Sequence, residues 1–587
     1  MAERLKPVDV VLVGFGWTGA IMAQELTDAG LEVVAIERGG WRDTPTDFPT
    51  THAQDELRYY WRHQMFLANS IETQTFRNNL TQTALPIRRW GSYLPGVGVG
   101  GAGVHWNGQT FRFLPSDFVA KTHNEERYGP LPEGMTVQDY GVTYDELEPH
   151  FDRFEKLCGI GGKAGNLQGQ ITEGGNPFEG WRSAEYPNPP MRMTFSQDRF
   201  EASARNLGLN PFPGPSANMS QAYTNPLGVQ LAPCTYCGFC EKYGCGNYSK
   251  ASPQTTILPV LMRKPNFELR TFCEVLHVNK DRDGRRASGV TYVDSQGKEW
   301  EQPAEIVILC GYQLSNARLM MLSGIGEIYN PRTGQGLVGK NYCYQVMSGV
   351  EIFYADEFTN EFVGAGALGM IVDDYNGDNF DHSGLGFIGG AYIGCWTTNA
   401  RPIESHPVPE GTPEWGARWK RAVRDNFLKT TSLSVHGASM AHRNNYLDLD
   451  PTYTDRFGRP LMRVTFDFTD NDRRLSDHIT PLAEEIARGM GGRETSTTTR
   501  TGEAYDIAPY QTTHNTGGTI MGSTPAESVV NRYLQSWDLH NLFVMGAGAF
   551  PQNAGYNPTD TVAALAYWSA KAIREQYLRS PGPMVQA

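Results

Sequence analysis

Residues Val10 to Gly19 read VVLVGFGWTG, and this stretch decides the fold. Val10-Val11-Leu12-Val13 is a continuous aliphatic run, the pattern of a parallel strand buried on both faces. Gly14, Gly16 and Gly19 follow at G-x-G-x-x-G spacing, with Thr18 in the same turn. An Ala/Leu-rich helix is expected from about 20 to 29, then a second apolar strand, Val33 to Ile36, ending in Glu37 and Arg38. Strand, glycine turn, helix, strand and acid in that order form the fingerprint of a dinucleotide site. The glycines permit the tight turn and let backbone N–H groups meet a pyrophosphate at the helix N-terminus. Glu37 is placed to accept hydrogen bonds from an adenosine ribose. The motif alone serves NAD and FAD equally.

The chain has 587 residues, too many for one core, and suggests two to four domains. A net charge of −13 argues against a nucleic-acid partner, which needs a basic surface. No apolar run approaches the ~20 residues that cross a bilayer. The N-terminus enters a strand almost at once and leaves no room for a signal peptide, so the chain read alone is cytoplasmic. Pro/Gly-rich stretches around 160–190 and 210–233 read as long surface loops.

Further on, Pro95 to Gly108 (PGVGVGGAGVHWNG) is too glycine-dense for a helix or strand and suits backbone lying flat against a planar ligand. Ala304 to Gly311 reads as a strand into a turn, continued by a helix from Ser315 to Gly326, and Gly336 to Asn341 as a turn. Near the C-terminus stand Thr513 to Gly522 (THNTGGTIMG), His540 to Pro551 (HNLFVMGAGAFP) and Gly555 to Thr559 (GYNPT). Asn557 and Pro558 suit the N-cap and first position of a helix running to about Glu575. The N-terminal end of that helix offers partial positive charge.

In these segments the chain resembles the glucose–methanol–choline (GMC) family of FAD oxidoreductases, from residue 8 to about 575, with little motif support over 345–500. Tyr312 and Asn316 depart from its second signature. The resemblance implies a mixed α/β (α+β) fold, a Rossmann-type FAD-binding domain interleaved with a substrate domain on an antiparallel sheet. Residues 1–150, 256–345 and 501–587 are assigned to the FAD-binding domain, and 151–233 and 346–500 to the substrate domain. The cofactor contacts it implies are Gly14, Gly16, Thr18, Gly19, Glu37, Arg38, Gly100, Gly101, His105, Asn107, Gly108, Gly548, Ala549, Asn557, Pro558 and Thr559. Several sugar-oxidising members carry the flavin covalently on the histidine matched by His105. His514 is implied as the base that takes the alcohol proton, a role for which an imidazole suits, and Asn557 as the holder of the substrate hydroxyl. Arg88, Arg89 and Arg112 are candidates to neutralise a substrate carboxylate, although arginines there more often pair with acids or the pyrophosphate.

Cys234, Cys237, Cys240 and Cys245 lie at C-x2-C-x2-C-x4-C spacing. Zinc sites usually pair knuckles a dozen or more residues apart, and disulfides three residues apart are strained. The compact run favours an iron–sulfur cluster, whose several irons spread the ligands, over zinc or a redox pair. Cys158, Cys273, Cys310, Cys343 and Cys395 read as buried apolar thiols.

Membrane-bound sugar dehydrogenases of the family have such an insert, here 234–255, holding a [3Fe–4S] cluster. That branch implies a dehydrogenase rather than an oxidase, acting on a secondary alcohol of a sugar acid or polyol. D-gluconate to 2-keto-D-gluconate is the first choice, with fructose, sorbitol, 2-ketogluconate or glucose as alternatives, and a soluble GMC oxidase as a further one. The partners implied are a membrane-anchored multihaem cytochrome c subunit and a small subunit with a Tat signal. Together they place the chain at the periplasmic face of a bacterial inner membrane and overrule the cytoplasmic reading.

Overall fold

The computed structural model describes residues 2–48, 66, 72–88, 91–92, 94–360, 362–398, 405–509 and 512–586. Strand β1 (Val8–Val13) leads into helix α1 (Trp17–Asp28), which starts three residues earlier than expected, and returns as β2 (Val33–Ile36). Helix α2 (Tyr144–Cys158) opens on a capping box between Thr143 and Glu146 and stops at Gly159, whose φ of 63° ends a helix at little cost. Strand β3 (Phe267–Arg270) pairs in parallel with β2, and a meander follows: β4 (Glu274–Lys280), β5 (Ala287–Val293) and β6 (Glu299–Leu309). β6 joins the antiparallel and parallel parts of one sheet in a single run. Glu299 to Pro303 pair antiparallel with β5, while Ala304 to Leu309 lie parallel to β1. From Ile306 to Leu309 it is aliphatic and buried, as a strand flanked on both sides requires. Helix α3 (Gln313–Leu322) then covers the sheet.

The chain next builds a second, antiparallel sheet from β7 (Val346–Phe353), β8 (Gly369–Val372), β9 (Ala391–Trp396) and β10 (Thr430–Gly437). Helix α4 (Asp470–Gly489) crosses it and β11 (Glu494–Thr499) closes its edge, in the order β11-β7-β10-β9-β8. One face buries Val350, Ile352, Leu433 and Val435 under Leu475, Ile479 and Ile486 of α4. The opposite face is polar on β10, because Ser432, Ser434 and His436 alternate with Leu433 and Val435. The chain finally re-enters the first sheet. β12 (Leu542–Val544) inserts parallel to β6 opposite Val307 to Leu309, and α5 (Thr559–Ala572) packs on α1 and α2.

The stretches at 160–190 and 210–233 are not loose surface loops. Ile160, Ala164, Arg182, Phe212, Ala217 and Met219 are buried. Their turns are pinned by carboxylates, with Glu179 accepting from the N–H groups of Gly165 at 2.5 Å and Asn166 at 3.2 Å, and by the ion pair of Arg182 with Glu155.

Candidate active site

The three glycines of the first turn do different work. A Cβ on Gly14, which has φ of 95°, would stand 2.7 Å from Cys310 O, and one on Gly19 would stand 2.4 Å from Gly14 O. Both close approaches hold the turn and α1 against the sheet. Gly16 faces open space, where a Cβ would meet nothing nearer than Gly101 Cα at 3.9 Å. On that side runs a cavity of about 280 Å³, from Glu37 and Arg38 past Thr18 to Gly101, Pro558 and Thr559. Its wall holds the buried Trp17 Nε1 and Gln313 Oε1, neither with a partner among the described residues. Glycines that leave room, a helix N-terminus and unpartnered polar atoms suit a dinucleotide such as FAD.

Glu37 organises the entrance. Its carboxylate accepts from Phe15 N at 3.0 Å, Gly39 N at 2.9 Å and Gly98 N at 3.1 Å, which ties three loops together and leaves capacity for a ribose hydroxyl. Arg38 donates to Glu72 at 2.6 Å. Gly100 and Gly101, with φ of 93° and 52°, form a short turn packed on Gly16. His105 follows it, buried at the wall of a second cavity with Asn107 and Gly108, and its ring meets Phe66 edge-on. Asn107 Oδ1 accepts from Ala367 N at 3.1 Å. Gly548 and Ala549 stand behind the wall that Gly546 and Ala547 form, Gly548 against Thr519 and Ala549 under Met521.

The second cavity, about 390 Å³, shares Trp17, Ala102, Gly103, Tyr312, Thr513, Pro558 and Thr559 with the first and ends on His514, Asn557 and His436. Gln345, fully buried, donates to Gly555 O at 2.6 Å and so turns its Oε1 to His514 Nδ1, 2.5 Å away. Thr512 Oγ1 lies 2.8 Å from the same nitrogen. An amide oxygen only accepts, so Nδ1 carries the hydrogen and Nε2 keeps a lone pair. Asn557 Nδ2 faces that lone pair at 3.1 Å, its amide oriented by Tyr392, whose O–H donates to Asn557 Oδ1 at 3.0 Å. Burial, with a smaller contribution from His436, lowers the His514 pKa to about 3, so the ring is neutral. Asn557 therefore does not cap α5. Its side chain is committed to the cavity, and Pro558 occupies the cap position. Asp560 in the first turn is buried beside Glu155 and its pKa is pushed well up, so it leaves the positive end of α5 uncancelled.

Arg112 takes the structural option. It forms a bidentate pair with Glu155 at 2.9 and 2.8 Å and reaches Glu148 at 3.1 Å, all buried. Arg88 is exposed and lines neither cavity, and Arg89 lies outside the described residues. Sequence reading missed Gln345, Tyr392 and His436. The S-L-S-V-H alternation of β10 was the available signal for the last.

The four clustered cysteines sit on a tightly wound segment in which Tyr236 and Lys242 have φ of 53° and 68°. Backbone N–H groups reach sulfur, Tyr236 N to Cys234 at 3.3 Å and Lys250 N to Cys245 at 3.4 Å. Lys250, buried, donates to the carbonyls of Trp106 at 2.7 Å, Cys240 at 2.9 Å and Tyr243 at 2.7 Å. Burial and, secondarily, the neighbouring thiols push Cys234 up to about 11, and Cys240 well up. N–H···S bonds with a nearby lysine amine suit thiolate ligands. Among the described residues, however, no group of three or more His, Cys, Asp or Glu side chains is set as a metal site. The other five cysteines are buried, as expected. No helix among the described residues is long and apolar enough to cross a membrane.

A dinucleotide cavity that opens onto a neutral histidine–asparagine pair suits an oxidoreductase, and the family matches that follow make it an FAD-dependent one acting on CH–OH groups. Residues 216–347 and 441–566 match the family models described as GMC oxidoreductase. The chain is 49% identical to the gluconate 2-dehydrogenase flavoprotein of Pantoea cypripedii, over 100% of this chain and 97% of that one. It is 23% identical to the fructose dehydrogenase large subunit of Gluconobacter japonicus, over 98% and 99%. In architecture it is similar to pyridoxine 4-oxidase from Mesorbium loti, with a TM-score of 0.60 and 17% identity over 98% of this chain and 100% of that one. The chain belongs to the GMC oxidoreductase family.

Proposed function

We propose that the chain is the flavoprotein subunit of a dehydrogenase that oxidises a secondary carbinol of a sugar acid, D-gluconate to 2-keto-D-gluconate. The observation that carries the chemistry is the lone pair of His514 Nε2 beside Asn557 Nδ2, at the junction of the two cavities. The substrate hydroxyl sits against both groups, takes the place of Asn557 Nδ2 on the Nε2 lone pair and gives its proton to Nε2, while Gln345 Oε1 holds the Nδ1 hydrogen and steadies the imidazolium. FAD, held along the first cavity and linked at His105, would supply the acceptor for the carbinol hydride. The sugar-acid assignment rests on the 49% relative.

A [3Fe–4S] cluster on three of Cys234, Cys237, Cys240 and Cys245 would supply one-electron exit to an outside acceptor. We assign that acceptor to a multihaem cytochrome c subunit, with a small Tat-signal subunit, at the periplasmic face of the inner membrane. Anaerobic bleaching of the flavin by D-gluconate, but not by fructose or sorbitol, tests the substrate. Iron and acid-labile sulfide in the purified protein test the cluster, and flavin retained after acid precipitation tests the bond to His105. A metal-free or zinc-bearing protein would remove the electron-exit part of the proposal.

A further inference from the structure

Beyond His514 and Asn557, the second cavity is walled by the polar face of the antiparallel sheet, where three buried polar atoms have no partner among the described residues: Ser434 Oγ, His436 Nδ1 and Trp396 Nε1. The strand register explains why the sheet does not satisfy them. Ser434 lies between Gly349 of β7 and Gly394 of β9, which have no side chains, and His436 lies between Met347 and Tyr392. Trp396 folds back over Gly394, where an added Cβ would stand 2.6 Å from its Nε1. His436 is fixed by stacking on Tyr392, 4.7 Å between centroids and 8° from parallel, the same tyrosine that orients Asn557. Buried polar groups are almost always matched. Three unmatched ones on one wall of a cavity mark where a ligand supplies the partners.

We propose that Ser434, His436 and Trp396 form a hydroxyl-reading row that binds the polyol chain of the substrate beyond the carbon presented to His514. Ser434 and His436 are two residues apart on one strand, roughly 7 Å, a spacing matched to an extended sugar acid rather than to a small alcohol. Neutral imidazole and serine each give or take a hydrogen bond with a hydroxyl, whereas indole only donates. The row thus selects polyhydroxylated chains. This inference rests on the dehydrogenase reading and names how its substrate is chosen.

The test is anaerobic flavin reduction by D-gluconate and by D-lactate, an acid that has the reacting carbinol and no chain of further hydroxyls. In Ser434→Ala and Trp396→Phe the ratio of kcat/KM for gluconate over lactate should fall roughly 10- to 100-fold, mostly through KM. Flavin content and Tm report folding, and His436→Asn is a third variant that keeps a polar group. Equal losses on both substrates, an unchanged ratio, or an unaltered protein that prefers lactate would overturn the proposal. If the unaltered protein reduces its flavin with another polyol and not with gluconate, the sugar-acid reading fails. The same variants run on that polyol against its deoxy analogue then decide the row.

Discussion

Gly16→Ala and Gly19→Ala should separate cofactor binding from folding within one motif. A methyl at Gly16 meets Gly101 Cα at 3.9 Å and Gly100 O at 4.0 Å, ordinary contacts, and its φ of −90° suits alanine. The flavin-free protein should therefore keep its stability to within about 0.5 kcal/mol. The methyl does intrude on the space beside the cavity where a phosphate would approach the backbone. Losing one charge-assisted backbone bond there costs about 1.5–3 kcal/mol, a roughly 10- to 150-fold weaker hold on FAD. At Gly19 the methyl would stand 2.4 Å from Gly14 O and 3.3 Å from Gly14 C, backbone against backbone. Only displacement of the buried helix α1 relieves that clash, and forced overpacking of this kind costs about 1–3 kcal/mol or more. Thermal melting of flavin-free protein and FAD titration of both variants read the two effects apart. A Gly16→Ala protein that melts as early as Gly19→Ala, or that binds FAD normally, would refute the reasoning.

His514→Gln should slow substrate reduction of the flavin by roughly 100- to 10,000-fold with the flavin spectrum intact; a loss below tenfold would remove it as the base. Gln345→Glu sets a carboxylate against His514 Nδ1, and at an effective dielectric of 20 an attraction of about 4 kcal/mol raises the imidazole from about 3 toward neutrality. Flavin reduction should then gain an acid limb near pH 6 that the unaltered protein lacks. His514 and His436 both have folded pKa values lowered to about 3, chiefly by burial, so the unfolded chain binds more protons below its own pKa near 6.5. Their contribution to stability is whole above that pH and is lost as pH falls toward 3, by up to about 1.4 kcal/mol per unit for each. Urea midpoints of flavin-free protein between pH 7.5 and 5 should show this, and His436→Asn should flatten the slope.

Much of this was legible because it is local. The βαβ fingerprint needs only residues 10–37, and the structure places Gly14 and Gly19 where close backbone approach calls for glycine, and Gly16 where the cavity needs room. Less legible was anything that depends on strands meeting across long intervals. Asn557 looked like a helix cap because Asn before Pro reads that way, but Tyr392, 165 residues away, claims its oxygen. Glu37 was read as a ribose ligand, yet it also binds the N–H of Gly98, 61 residues on. The polar row of β10 is a plain period-two pattern, but only its placement between Gly349 and Gly394 shows that it faces a cavity.

The walls of the FAD cavity are drawn from Val13 through Val562, and Leu542–Val544 is the strand that completes the parallel sheet beside Val307–Leu309. A ribosome must therefore deliver nearly the whole polypeptide before the pocket has a far side. Loading of the flavin belongs after synthesis, and a nascent chain stalled or clipped short of its last helix yields an empty protein however intact its N-terminal fingerprint.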